Sequence, residues 1–476
     1  MKSIVFNFLR LPIFQCIMLT VVFLYFSACK KDSFITSQNA QISTSVDSLK
    51  YDTVFTSIGS ITQSFKINNL NNQKLLLSKV KLMNGNTSAF KLNINGIVGS
   101  EASDIEVAAN DSMYVFVTVN INPGNADLPF IFKDSIMIMY NGNSHFVQLE
   151  AFGQNANFLR NQIIKGNVTW SNNLPYVILG SIRIDTSAIL TIESGCKIYL
   201  HADAPFITDG TLIINGTKPA PVNVTGDRMD EDYKNLPASW PGIYFRGSSK
   251  NNVLKYAVIK NAYQAVVVEK SSVNSNAKLT LHQCIIDNAY DVGLLCINSS
   301  VDIDNSLITN CGTNVSIAYG GNYNVTNCTI VSYSNNNIVH KNSVLVINNF
   351  TSPDGGNLTA NLKCTLRNCI FWGDNGSVDN EIKVSKEGVN TFNVIFDHCL
   401  YKVKEDPLNS TFIEVIKNQD PQFDNIDITK QLYNFHITGD NAPGINNGFN
   451  GTGFAKDLDD NNRSVGLPDI GCYEKQ

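Results

Sequence analysis

Charge is scarce in this sequence. Asp, Glu, Lys and Arg make up 16% of 476 residues, with 36 basic against 41 acidic side chains and a net charge of −5. No long basic run interleaved with aromatics occurs, so the electrostatic footprint of a nucleic-acid binder is missing and no nucleic-acid partner is expected. Also missing are Cys-x-x-Cys pairs, Cys/His clusters at zinc spacing, His-Glu-x-x-His, a phosphate-cradling glycine loop and a nucleophile elbow. The six His are scattered and Arg is rare. These absences remove zinc enzymes, P-loop nucleotide enzymes and α/β-hydrolases. Hydrophobic residues, at 43%, supply ample core and exclude a disordered chain. About 60 asparagines stand out, and Asn favours turns and left-handed backbone while disfavouring helices. An all-β, turn-rich protein follows.

Residues 1–28 carry Lys2 and Arg10 ahead of an apolar run, Leu11 to Phe26, too short to span a bilayer and right for a signal-peptide core. Phe26-Ser27-Ala28-Cys29 resembles a bacterial lipobox, which implies cleavage before Cys29 and lipidation of that cysteine. Residues 29–44 would then be a tether; its Lys30-Lys31-Asp32-Ser33 resembles a surface-export signal of Gram-negative lipoproteins. The resemblance implies an outer-membrane, lipid-anchored protein at the cell surface. Of 11 Cys, nine remain once Cys16 and Cys29 are set aside, an odd number that cannot all pair internally.

Residues 45–157 contain short alternating runs, such as Ala89 to Ile94, Met113 to Val119, Ser135 to Tyr140 and His145 to Leu149. Roughly seven such strands in about 110 residues indicate a β-sandwich. The stretch resembles immunoglobulin-like modules that precede surface domains. Asn69-Leu70-Asn71-Asn72 and Tyr140-Asn141-Gly142-Asn143 read as hairpin turns, and Gly153 to Asn157 as an exit linker.

From 160 to 476 the sequence repeats. Leu254 to Tyr263 aligns without a gap on Leu281 to Tyr290, and the frame recurs from Ile303, Val325, Leu366 and Phe396. Most steps of 22 to 30 residues, each with two or three short strands, suit one rung of a parallel β-helix. The step from Cys328 to Cys369 is longer and holds either one coil with an inserted loop or two coils. Four columns follow. Leu254, Leu281, Ile303, Val325, Leu366, Phe396 and Ile259, Ile286, Ile308, Ile330, Phe371, Tyr401 are core. Ala257, Cys284, Ser306, Cys328, Cys369, Cys399 is small and inward, so its cysteines are expected as free structural thiols. Tyr256, Gln283, Asn305, Asn327, Asn368, His398 is a polar turn.

The opening coils, around Ala188 to Leu200 and Trp240 to Phe245, resemble right-handed parallel β-helix proteins of the pectate-lyase-like fold. The closing Asp457-Leu458-Asp459-Asp460-Asn461-Asn462-Arg463 and Pro468-Asp469-Ile470-Gly471-Cys472-Tyr473-Glu474 resemble the end segment of surface β-helix proteins, here expected as a cap. This fold carries lyases, hydrolases, epimerases and adhesins alike. Enzymes of the fold place acids and bases on outward positions of adjacent rungs. Here that points to Asp302 and Asp304, with His282 and Lys255 on the preceding rungs, as a site for acid-base chemistry or Ca2+. Asp457, Asp459 and Asn461 form a second candidate Ca2+ loop, and Asp227 to Tyr233 an acidic excursion. Arg367 and Asp397 read as an ion pair between rungs. The favoured function is non-catalytic binding of polysaccharide or an envelope partner by a monomer. A polysaccharide lyase or glycoside hydrolase is the alternative, and a structural spacer a third reading.

Overall fold

The computed structural model describes residues 33–55, 60–121, 130–229, 233–352, 358–374, 377–463 and 466–476. The signal segment and Cys29 lie outside them. The described chain is almost wholly β and divides into two units between Gln154 and Asn155.

In the first unit, two five-stranded sheets share one core. One runs Ile42–Thr44, Gln63–Asn69, Ser112–Val119, Phe90–Ile94, Ile97–Gly99; the other runs Ser48–Phe55, Asn143–Gln154, Phe130–Tyr140, Leu75–Leu82, Glu101–Val107. All neighbours are antiparallel except Asn143–Gln154 on Ser48–Phe55. The period-2 pattern explains the packing: Met113, Val115, Val117 and Val119 are buried while Tyr114 and Phe116 between them face out. Asn141 and Gly142, both at positive φ, make the expected hairpin between Tyr140 and Asn143. The other expected hairpin is not one. Asn69 to Asn72 carries the chain from one sheet to the other, and buried Asn69 donates to the carbonyls of Gln73, Val107 and Ala108 to hold that crossover. Nor is there a five-residue linker, because Gly153 and Gln154 end a strand and Asn157 opens the next.

The second unit is a 26-stranded sheet of parallel neighbours that winds as a parallel β-helix-like solenoid. Each full coil contributes strands to three stacks. Stack 1 runs from Asn167–Trp170 to Ser410–Ile413, stack 2 includes Lys197–Leu200 through Ile416–Lys417, and stack 3 includes Phe206–Thr208 through Ile382–Ser385. The expected register holds rung by rung: Leu254 pairs with Leu281, then Ile303, Val325, Leu366 and Phe396 in turn. Val325 pairs directly with Leu366, so the long step is a single coil with excursions, one of them the Phe350–Thr351 and Leu358–Thr359 hairpin. Inward Leu, Ile and Val residues, at or near zero exposure, each stabilise by roughly 1.5–3 kcal/mol of burial.

One residue makes the corner between stacks 1 and 2. Tyr256, Gln283, Asn305, Asn327, Asn368 and His398 all have φ between 45° and 53°. This left-handed backbone is least costly for Asn. The residue after the corner points into the crowded interior, and Ala257, Cys284, Ser306, Cys328, Cys369 and Cys399 are all at most 1% exposed. Their thiols donate to carbonyls, as Cys284 does to Leu254 (3.2 Å) and Cys399 to Leu366 (3.3 Å). All nine described cysteines are buried and unbridged.

Residues 423–476 run along the flank of the coils, where a cap over the last rung had been expected. Their hairpin, Phe423–Asp427 with Leu432–Ile437, and the irregular chain beyond it bury Phe435, Ile437, Leu458, Ile470 and Cys472 against outward residues of stack 2, Leu307, Val331, Ile370 and Leu400. This strap reaches from the last coils back to Lys218, which pairs with Asp459.

Candidate functional site

The four residues singled out in the sequence occupy the expected neighbouring rungs of stack 1: Lys255 beside His282 beside Asp304, with Thr280 beside Asp302. Of the four, only His282 and Asp304 bond to one another. Asp304 is buried; one oxygen is bound to His282 Nδ1 and the other accepts from the Asn305 amide at 3.0 Å. Asp302 turns the other way and accepts from Asn324 at 2.7 Å. Lys255 is exposed. The Asp304 hydrogen bond raises the His282 pKa above its usual value, outweighing partial burial and the repulsion of Lys255. Two rungs beyond Asp304 in the same column, Arg367 pairs with Asp397 on the next rung at 2.7 Å, as expected, and lays its guanidinium over Phe449 of the strap. The column thus holds two ion pairs, His282 with Asp304 and Arg367 with Asp397, separated by Thr326.

The proposed Ca2+ loop is committed to the strap. Buried Asp457 accepts backbone N–H bonds from Asp459 (2.9 Å), Asn461 (2.7 Å) and Glu474 (2.8 Å). Asp459 takes His436 Nε2 at 2.7 Å and pairs with Lys218, which hold its carboxyl down at about 2 against the opposing effect of burial. Among the described residues no three His, Cys, Asp or Glu side chains are grouped to hold an ion. In the acidic excursion Asp227 binds His201 (2.7 Å) and Arg228 lies over Tyr233; residues 230–232 lie outside the described set.

The end motif explains itself as a fastener. Arg463, 3% exposed, gives Nε to the Asn305 side chain at 2.8 Å, Nη2 to Gly471 O at 2.9 Å and Nη1 to Glu474 at 3.3 Å. Asp469 accepts the N–H groups of Asn446 and Lys475. Gly471 sits at φ +109°, and a Cβ there would meet Thr329 and Ile370 at under 3 Å. The asparagine corner receives the strap at the level of Asn305 and Asn368: Asn368 bonds Phe449 through both amide groups and passes Nδ2 to Asn327 at 3.0 Å.

A concave site lies elsewhere, at Trp372. Two clefts, of about 290 and 430 Å3, share Trp372 and Asp420 as lining. Tyr333, Gly373, Gln422, Phe423 and Ile426 complete the first; Val378, Asp379, Lys402, Val403, Lys404 and Asn418 complete the second. Phe371 is an inward core residue, so Trp372 beside it faces out, and the strap hairpin packs near it. Trp372 is 5% exposed, yet its indole N–H makes no hydrogen bond among the described residues and remains accessible. The same holds for the Tyr333 hydroxyl, whose pKa is pushed up by burial and then by Asp420, Asp374 and Glu381. Asp420 is exposed and accepts only the N–H of Gln422 (2.8 Å).

Behind Gly373 lies a buried trio. Glu381 binds His340 at 3.0 Å and Lys402 at 3.3 Å, and Lys402 also donates to Gly373 O and Asp374 O. A Cβ at Gly373 would strike His340 and Glu381. The second oxygen of Glu381 is buried without a partner. The sequence reading missed this site. The signal was present, since placing Phe371 in the core column forces a tryptophan onto the outer face. The chain excursions and the strap hairpin that wall the clefts leave no periodic trace.

No protein-family model matches the chain, and no curated protein does. Among solved structures, a family 123 glycoside hydrolase from Clostridium perfringens, described as hydrolysing a glycolipid glycan, aligns with 11% identity over 25% of this chain and 26% of its own, at a TM-score of 0.18. The match spans about a quarter of that enzyme.

Proposed function

We propose that this chain is an exported, lipid-anchored surface protein in which an immunoglobulin-like sandwich and a right-handed β-helix present a polysaccharide-binding cleft. The Trp372 cleft carries the reading. It is a concave wall that mixes aromatic and aliphatic side chains (Trp372, Tyr333, Phe423, Ile426, Val378, Val403) with unengaged N–H, O–H and carboxylate groups, the composition with which proteins hold polyols. Isothermal titration of the intact protein against a polysaccharide panel tests it: Asp420→Ala and Tyr333→Phe should each weaken binding at least fivefold. Binding unchanged in both variants, or no binding to any glycan, overturns it.

The glycoside hydrolase or lyase alternative draws on one observation, the presence of Asp374, Glu381 and Asp420 around Tyr333. Their oxygens are directed apart, Asp374 to the Ser334 N–H, Glu381 to His340 and Lys402, and Asp420 to Gln422, so binding is favoured over acid-base chemistry. Turnover that disappears with Asp420→Ala would reverse that order. For the anchor, mass spectrometry of the mature protein should find an acylated Cys29 as the first residue; an intact Met1 segment would refute it.

A further inference from the structure

Resting on the glycan-binding reading, we infer that the Trp372 cleft selects a glycan bearing free amines, a deacetylated hexosamine polymer, over neutral and uronate chains. The charge inventory leads there. Each cation lining the cleft is already paired, Lys402 with Glu381 (3.3 Å) and Lys404 with Asp379 (2.8 Å), and the remaining Lys402 donors go to backbone carbonyls. No ammonium or guanidinium among the described lining residues is left for a uronate carboxylate. Asp420, by contrast, lines both compartments and has no cationic partner.

Of the charges that line the clefts, Lys404 is taken by Asp379 and Lys402 by Glu381 behind the wall, so Asp420 is the lining charge left without an opposite partner. A sugar ammonium entering the cleft pairs with Asp420, while a uronate is repelled. A second observation, independent of the acids, points to a ligand at the same place. Trp372 is 95% buried by its 5% exposure, yet it keeps an unpartnered indole N–H, a donor suited to a sugar hydroxyl beside the bound amine.

The test is isothermal titration of the intact protein with four tetrasaccharides: glucosamine, N-acetylglucosamine, cellotetraose and tetragalacturonate, at a pH that keeps the amines charged. The glucosamine tetramer should bind about fivefold tighter than its acetylated form, the preference should shrink with added salt, and tetragalacturonate should bind weakest. Asp420→Asn, a conservative change at an exposed position, should abolish the preference, bringing the glucosamine tetramer down to the affinity of its acetylated form; Tyr333→Phe should weaken all ligands alike and keep their order. Equal or tighter binding of the acetylated or uronate chain, or a preference that survives Asp420→Asn, overturns the inference while leaving glycan binding standing. No binding of any tetramer overturns both.

Discussion

At the scale of single residues, the corner asparagines do two jobs that can be separated. Asn327 holds φ at 53° and links Asn305 (3.4 Å) to Asn368 (3.0 Å) through its amide. Asn327→Ala incurs the left-handed strain and loses the ladder, a cost of about 2–3 kcal/mol, whereas Asn327→Gly loses only the ladder and should cost about 1 kcal/mol. Urea unfolding of the two variants checks the split; equal losses would mean that backbone strain is negligible at the corner. Lys278 shows the same economy of place. Its buried ammonium caps the carbonyls of Arg246, Gly247 and Glu269, and burial lowers its pKa to about 8.

Among the elements, the strap carries the clearest pH dependence. Burial pushes the Glu474 carboxyl up to about 7 although Arg463 lies beside it. The folded chain therefore holds a proton that the unfolded chain releases near pH 4.5, and stability falls as pH rises from there through about 7, by about 2 kcal/mol. His282, with its raised pKa, adds a loss of the same sign above its unfolded value. Asp459, held at about 2, contributes stability that is lost only as acid approaches that value. Melting curves from pH 5 to 8 should show the parent losing stability more steeply than Glu474→Gln; parallel curves would place the proton elsewhere. The repeat elements were legible because stacking imposes columns: once Leu254 was set on Leu281, the position of every corner asparagine and inward cysteine followed. The strap was not, because its contacts join residues such as Lys218 and Asp459 with no shared period. The candidate acids were legible as positions and not as contacts, for a local reason. Spacing put Asp302 and Asp304 on one face, but hydrogen bonding to Asn324 and His282 aimed them apart.

For the whole solenoid unit, the outer surface of stack 2 is a second hydrophobic interface that only the strap closes. Phe435, Ile437, Leu458, Ile470 and Cys472 together represent on the order of 10 kcal/mol of burial. A chain ending at Asn418 should keep its coils, bind a hydrophobic dye and associate; a truncated protein that stayed monomeric and melted like the parent would show the strap to be dispensable. The strap also sets an order in time. Coils can stack one after another as the chain emerges, since each rung needs only its neighbours, but Leu307, Ile370 and Leu400 stay bare until residues 423–476 have been synthesised. Throughout that interval the nascent solenoid presents an adhesive stripe that chaperones or sibling chains can occupy. The arginine of the strap, on reaching Asn305 across 158 residues of sequence, marks the moment at which elongation has delivered every rung in register.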